Sequence, residues 1–190
     1  NNKFGVPFSL CNLKKDTEYG VFEIGMDKKG EIEKLSKIVK PEIAVITNIS
    51  GAHFKNFNSL KDIAKAKSEI IDNVSEEGTV ILNKEDKFFK FFYNKSRKKR
   101  LNVISFGLKK KSDIFLLKIQ KVKKVYRLKV FVKGKIFYFD TPYSTDNFII
   151  NTLACIATLY SLGLNLQKIK KKLINFSIPS GRGDISIVKK

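Results

Sequence analysis

Tryptophan is missing from this 190-residue chain, methionine and histidine occur once each, and there are only two cysteines and four prolines. Each scarcity removes a class of explanation. Cys11 and Cys155 lie far apart and in no metal-type spacing, so a disulfide scaffold and a cysteine-based zinc site are both excluded. Such thrift fits a reducing, cytoplasmic setting. Cys155 falls in the apolar helical pattern "NTLACIATLYSLG" and is expected to be a small core residue. No apolar run approaches the length of a membrane span, and no signal peptide opens the chain. The first residue is Asn1, not Met, within what reads as a loop, which suggests a fragment of a longer protein.

Acidic residues are also scarce. Eighteen Asp and Glu face 38 Lys and Arg, a formal net charge of +20. That balance invites a nucleic-acid reading, in which a basic stripe and exposed aromatics would bind phosphates with strong salt dependence. The arrangement argues against it. The basic residues are spread along the whole chain, and the densest tracts, 95–100, 109–111 and 170–172, fall at expected loops and helix ends. Most aromatics alternate with charges in strand patterns, as core residues do. Joint richness in Lys, Asn, Ile and Phe points to compositional drift that would coat any enzyme in lysine. Hydrophobic residues make up 43%, enough for a globular domain with a real core.

The patterning predicts strands at 19–25, 42–49, 78–83 and 101–107, with helices at 30–40, from Ser59 onward, and at 87–99. Alternation of this kind implies an α/β fold with a mostly parallel sheet flanked by helices. Three consecutive strands at 113–122, 125–134 and 135–141 then read as a small antiparallel meander, residues 113–140. Helices at 146–162 and 165–176 follow, then a turn at 178–183 and a last short strand.

In an open parallel sheet, ligands bind beyond the carboxyl ends of the strands. Glu23 is a carboxylate within an otherwise apolar run, costly unless it reaches water, a partner or a cation. His53, the one histidine, follows the 42–49 strand. Asn83, Glu85 and Asp86 follow the next. Ser59 and Asp62 mark a helix start, and Ile63, Ile70 and Val74 define its core stripe. Lys67 falls within that stripe. Two readings stand open: the stem is buried while the ammonium reaches water, or the amine is at a site, where burial favours its neutral, reactive form. A carboxylate, an imidazole and a lysine carbamate at one rim could together hold Mg²⁺.

The runs "FEIGMDKKGEI", "PEIAVITNISGAHFKNFNSLKDIAKAKSEI" and "GTVILNKED" resemble the central domain of the Mur ligases, most closely the branch that adds D-alanyl-D-alanine. The likeness covers nearly the whole chain and is densest from Pro41 to Ile70. It implies a P-loop NTPase-like ATP-binding central domain over residues 1–190, without the phosphate loop, the UDP-binding domain or the C-terminal ligase domain. It also implies an ATP-dependent ligase in peptidoglycan synthesis. Such an enzyme phosphorylates the carboxylate of a UDP-MurNAc-peptide and lets the amine of D-Ala-D-Ala attack the acyl phosphate. By this resemblance Glu23 and His53 bind Mg²⁺, and Lys67 is the carbamylated lysine near the γ-phosphate. Asn83, Asp86, Asn147, Asn151 and Arg182 contact ATP. No nucleic acid and no membrane span are expected, and the protein is expected to be a cytoplasmic monomer. This fragment is expected to be inactive alone.

The chain departs from the family pattern at Glu85, Ser144 and Asp146, which puts the nucleotide-side contacts in question more than the metal-side trio. The alternatives are another Mur ligase, a folylpolyglutamate synthase relative, a degenerate structural relative, or a basic nucleic-acid-binding module.

Overall fold

Three short apolar runs build the parallel half of one sheet in a computed structural model that describes residues 1–50, 56–170 and 172–176. β1 (Ile43–Ile46), β2 (Thr79–Asn83) and β3 (Asn102–Gly107) are rich in Val and Ile, the composition that a strand covered on both faces requires. Their register is direct, Ile43 opposite Thr79 and Thr79 opposite Asn102. β4 (Ile114–Val122) joins β3 in parallel through only Phe106–Ile114 and Gly107–Phe115. β5 (Val125–Val132) and β6 (Lys135–Thr141) then run antiparallel. The expected meander therefore exists, and it is the outer half of a six-stranded sheet in the order β1-β2-β3-β4-β5-β6.

Alternation along β2 divides the core. Val80 and Leu82 face one cluster with Ile63, Ala66, Ile71 and Phe92, whereas Ile81 faces another with Phe106, Leu128, Phe139, Leu153 and Ile156. The first face is covered by α2 (Glu31–Val39), α3 (Leu60–Lys67), α4 (Glu69–Asp72) and α5 (Phe89–Lys98). The second is covered by α6 (Asp146–Ser161) and α7 (Leu166–Ile169). A short α1 (Gly5–Cys11) opens the chain.

Asp113 makes the parallel-to-antiparallel change rigid. Its carboxylate accepts from the Ser105 amide at 2.8 Å and hydroxyl at 2.6 Å, and pairs with Lys133 at 3.1 Å. It thus ties β3 to the entry of β4 and the end of β5. Partial burial pushes this carboxyl up, but the Ser105 hydrogen bonds and Lys133 outweigh it and hold the group below its ordinary 3.8. A depressed carboxyl adds stability that is complete above its unfolded value and is lost as the pH falls through the lowered one. Asp113→Ala is expected to cost about 2–3 kcal/mol in urea unfolding at neutral pH. The gap to wild type should narrow once the pH falls below 3.8.

Four expectations need correction. Residues 19–25 form no strand: Val21 is 96% exposed, and among the described residues the backbone finds no ladder partner there beyond the Gly25 amide donating to the Asn1 carbonyl at 2.8 Å. An apolar run becomes a strand only where a neighbour takes up its backbone groups. The Lys67 helix is interrupted at Ser68, whose hydroxyl donates back to the Lys65 carbonyl at 2.6 Å. The helix expected over 165–176 reduces to α7 and a 3₁₀ turn, Lys172–Asn175. Cys155 is exposed, because α6 buries the stripe Ile149, Thr152, Leu153, Ile156 and Ala157 and so turns position 155 outward. The turn at 178–183 and the last strand lie outside the described residues.

The basic tract 95–100 has a structural task. Lys95 pairs with Asp72 at 2.6 Å and donates to the Ser68 carbonyl at 2.9 Å, and Lys99 donates to the carbonyls of Ile71 and Asp72. Ammonium groups from α5 thus satisfy the carbonyls that end α3 and α4, a favourable place for positive charge.

Candidate active site

The site is assembled around the carboxyl ends of β1 and β2. Ser59 starts α3, accepting from the Asp62 amide at 3.1 Å and donating to the Asp62 carboxylate at 2.7 Å. From that start Ile63, Ala64 and Ala66 are driven into the core, and the helix ends on Lys67. Lys67 is half-buried, and its ammonium donates to the Asn48 carbonyl at 3.2 Å, just beyond β1. Burial lowers the Lys67 pKa from its ordinary 10.5, and the nearby Asp86 carboxylate opposes that shift. Of the two readings open in the sequence, the structure gives a partly desolvated amine held by a main-chain carbonyl, with its acid neighbour on the next loop.

That neighbour sits on the turn after β2. Asn83 accepts from the Glu85 amide at 2.9 Å through its side chain. Asp86 accepts from the Ile49 amide at 2.7 Å on one oxygen and from the Phe88 amide at 2.8 Å on the other. Glu85 accepts from the Lys109 amide at 2.8 Å. The 83–86 turn is therefore bound to the loops after β1 and β3, as a rim that must hold its shape requires.

A groove of about 690 Å³ runs along the free edge of β1. Glu23, Ile46, Thr47 and Lys67 line it, together with the 18–24 segment. Glu23 is exposed, with the chain's amino group 3.7 Å from its carboxylate. Of the three residues expected to converge, Glu23 and Lys67 line this one groove. His53 lies outside the described residues, as does Arg182. Asn147 and Asn151 are exposed, one turn apart at the start of α6 on the opposite side of the sheet. The Thr145 side chain caps none of that helix's first amides.

Among the described residues no three His, Cys, Asp or Glu side chains gather as a metal cluster. The groove is lined by three carboxylates, Glu18, Glu23 and Glu42, and by the hydroxyls of Tyr19, Thr47 and Thr158. Oxygen donors are the kind that suit Mg²⁺, which keeps several waters and binds beside phosphates.

Glu69 has a function that the sequence did not reveal. Buried at the start of α4, its carboxylate accepts from the Gly30 amide at 2.9 and 3.1 Å and from the Glu33 amide at 3.2 Å, capping α2. The one available signal was an acid within the helical run, two residues after Lys67.

A family model described as the Mur ligase middle domain matches residues 1–159. The UDP-N-acetylmuramoyl-tripeptide–D-alanyl-D-alanine ligase of Rickettsia prowazekii (strain Madrid E) is 34% identical over 190 residues, spanning 97% of this chain and 41% of the relative. A crystal structure of MurF from Acinetobacter baumannii superposes with a TM-score of 0.88 at 29% identity, covering all of this chain and 41% of that one. MurF ligase from Thermotoga maritima in complex with ADP superposes with a TM-score of 0.81 at 23% identity, over 100% of this chain and 43% of that one. The chain spans about two fifths of the length of the relatives it matches.

Proposed function

Since the chain belongs to the Mur ligase middle-domain family, we propose that it is the nucleotide-handling part of an ATP-dependent ligase that joins D-Ala-D-Ala to a UDP-MurNAc-tripeptide in peptidoglycan precursor synthesis. The reaction would run through an acyl phosphate on the peptide carboxylate, with ADP and phosphate leaving. No described helix is long and apolar enough to cross a membrane, and soluble UDP-linked substrates suit a monomer working in the cytoplasm.

One observation carries this reading. Lys67, on a helix that buries Ile63, Ala64 and Ala66, turns its amine to the strand rim and lines the same groove as Glu23. In the proposal, Glu23, His53 and a carbamate on Lys67 would hold Mg²⁺. The ion would supply positive charge against the phosphoryl group in flight. Asn83 would face the adenine from a turn already fixed by its own side chain. Asn147, Asn151 and Arg182 would meet the nucleotide, the first two from the start of α6, where amides and helix dipole favour phosphate.

The test uses the complete polypeptide. Incubation with UDP-MurNAc-tripeptide, D-Ala-D-Ala, ATP and Mg²⁺ is expected to yield the pentapeptide product and one ADP per bond formed. ATP turnover with no new amide bond, or ligation to a glutamyl-folate instead, would refute it.

A further inference from the structure

Resting on the function proposed above, we propose that Asp86 is a positioning residue, a clamp that fixes the loop after β1 and with it the carbonyl that holds Lys67. The carboxylate spans two chain segments. One oxygen accepts from the Ile49 amide at 2.7 Å and the other from the Phe88 amide at 2.8 Å, at the entry to α5. Ile49 is buried in the first core cluster together with Ile63 and Leu82. Its neighbour Asn48 supplies the carbonyl that accepts from Lys67 at 3.2 Å. A chain of contacts therefore runs from the start of α5, through Asp86, to the 48–49 backbone and on to the Lys67 amine.

The arrangement differs from a nucleotide contact. A carboxylate whose main task is to read an adenine or ribose would aim its oxygens outward, whereas each Asp86 oxygen accepts from a backbone amide of the protein itself. Charge-assisted bonds from amides to a carboxylate are short and strong, and these two have that length. The turn that presents Asp86 is itself restrained, by Asn83 accepting from Glu85 and by Glu85 accepting from Lys109. Asp86 therefore holds the Lys67 rim.

The complete polypeptide is compared with its Asp86→Asn and Asp86→Ala variants. In amide hydrogen exchange, protection at Ile49 is expected to fall about tenfold or more in the alanine variant. Exchange within β5, far from the clamp, should stay at the wild-type level. In steady-state ligation kcat is expected to fall about 10- to 100-fold in Asp86→Ala, as when a supporting partner is lost, with KM for ATP within about twofold of wild type. Asp86→Asn keeps one acceptor oxygen, so partial recovery of both readouts is expected, and it serves should the alanine variant fail to fold. Unchanged Ile49 protection overturns the clamp. A large rise in KM for ATP at near-normal kcat also overturns it, in favour of a nucleotide contact. If wild type shows no ligation, the proposed function fails, and the Ile49 exchange result alone then decides the clamp.

Discussion

Lys67→Ala in the complete polypeptide is expected to lower ATP-dependent ligation by a factor of about 10² to 10³ or more, with folding intact. The structure makes the folding half of this expectation firm. Lys67 is half-buried, and among the described residues its ammonium makes a single hydrogen bond, to Asn48. The activity half rests on what the amine becomes. Burial favours the neutral form, and a neutral amine can add CO₂ to give an anionic carbamate, though Asp86 works against neutralisation. Lys67→Arg separates the two possible roles. A guanidinium keeps positive charge, stays protonated and forms no carbamate. If the carbamate matters, arginine should be as inactive as alanine, and added bicarbonate should rescue neither. A ¹³C carbamate resonance from labelled CO₂ should appear in wild type and vanish in both variants. Near-normal turnover of Lys67→Ala would remove the residue from the chemistry.

Phe139→Ala is expected to destabilise the chain by about 3–5 kcal/mol in denaturant unfolding. Phe139 is fully buried on β6, in the same cluster as Leu128 of β5, Phe106 of β3 and Leu153 of α6. The loss should lower a single transition. One sheet carries both the parallel and the antiparallel strands, and Asp113 ties them where the direction changes. A meander acting as its own subdomain would give two transitions, with the variant moving only one. Ile136→Ala, three residues away on the same strand, removes a side chain that is 47% exposed and should cost less than about 0.5 kcal/mol.

Periodicity predicted β2, β3, α2, α5 and the meander well, because each has a strong local pattern and partners nearby in the chain. The failure at 19–25 has the opposite cause. Its composition is that of a strand, yet strand formation is decided by a neighbour, and none pairs with it here. Composition likewise placed Cys155 in the core, while the stripe actually buried on α6 is set by the sheet beneath it. The candidate site was legible in part. Lys67 betrayed itself by standing on an apolar face, and the structure turns it toward the groove that Glu23 lines. Asp86 and Glu69 were visible only as acids. Their work, accepting from amides 37 and 39 residues away, depends on long-range packing that no local pattern encodes.

The two borders of the sheet are unlike. β6 begins with Lys135 and carries Tyr138 outward, so its outer side is uneven and partly charged. β1 consists of Ile-Ala-Val-Ile, without one charged side chain, and among the described residues only β2 pairs with it. Its unclaimed amides and carbonyls form a template for any extended segment that comes near. Handled by itself at high concentration, this polypeptide should stick to its own copies through that border, and +20 of mutual repulsion would be the main force keeping them apart. Added salt, by screening that repulsion, should therefore promote clumping.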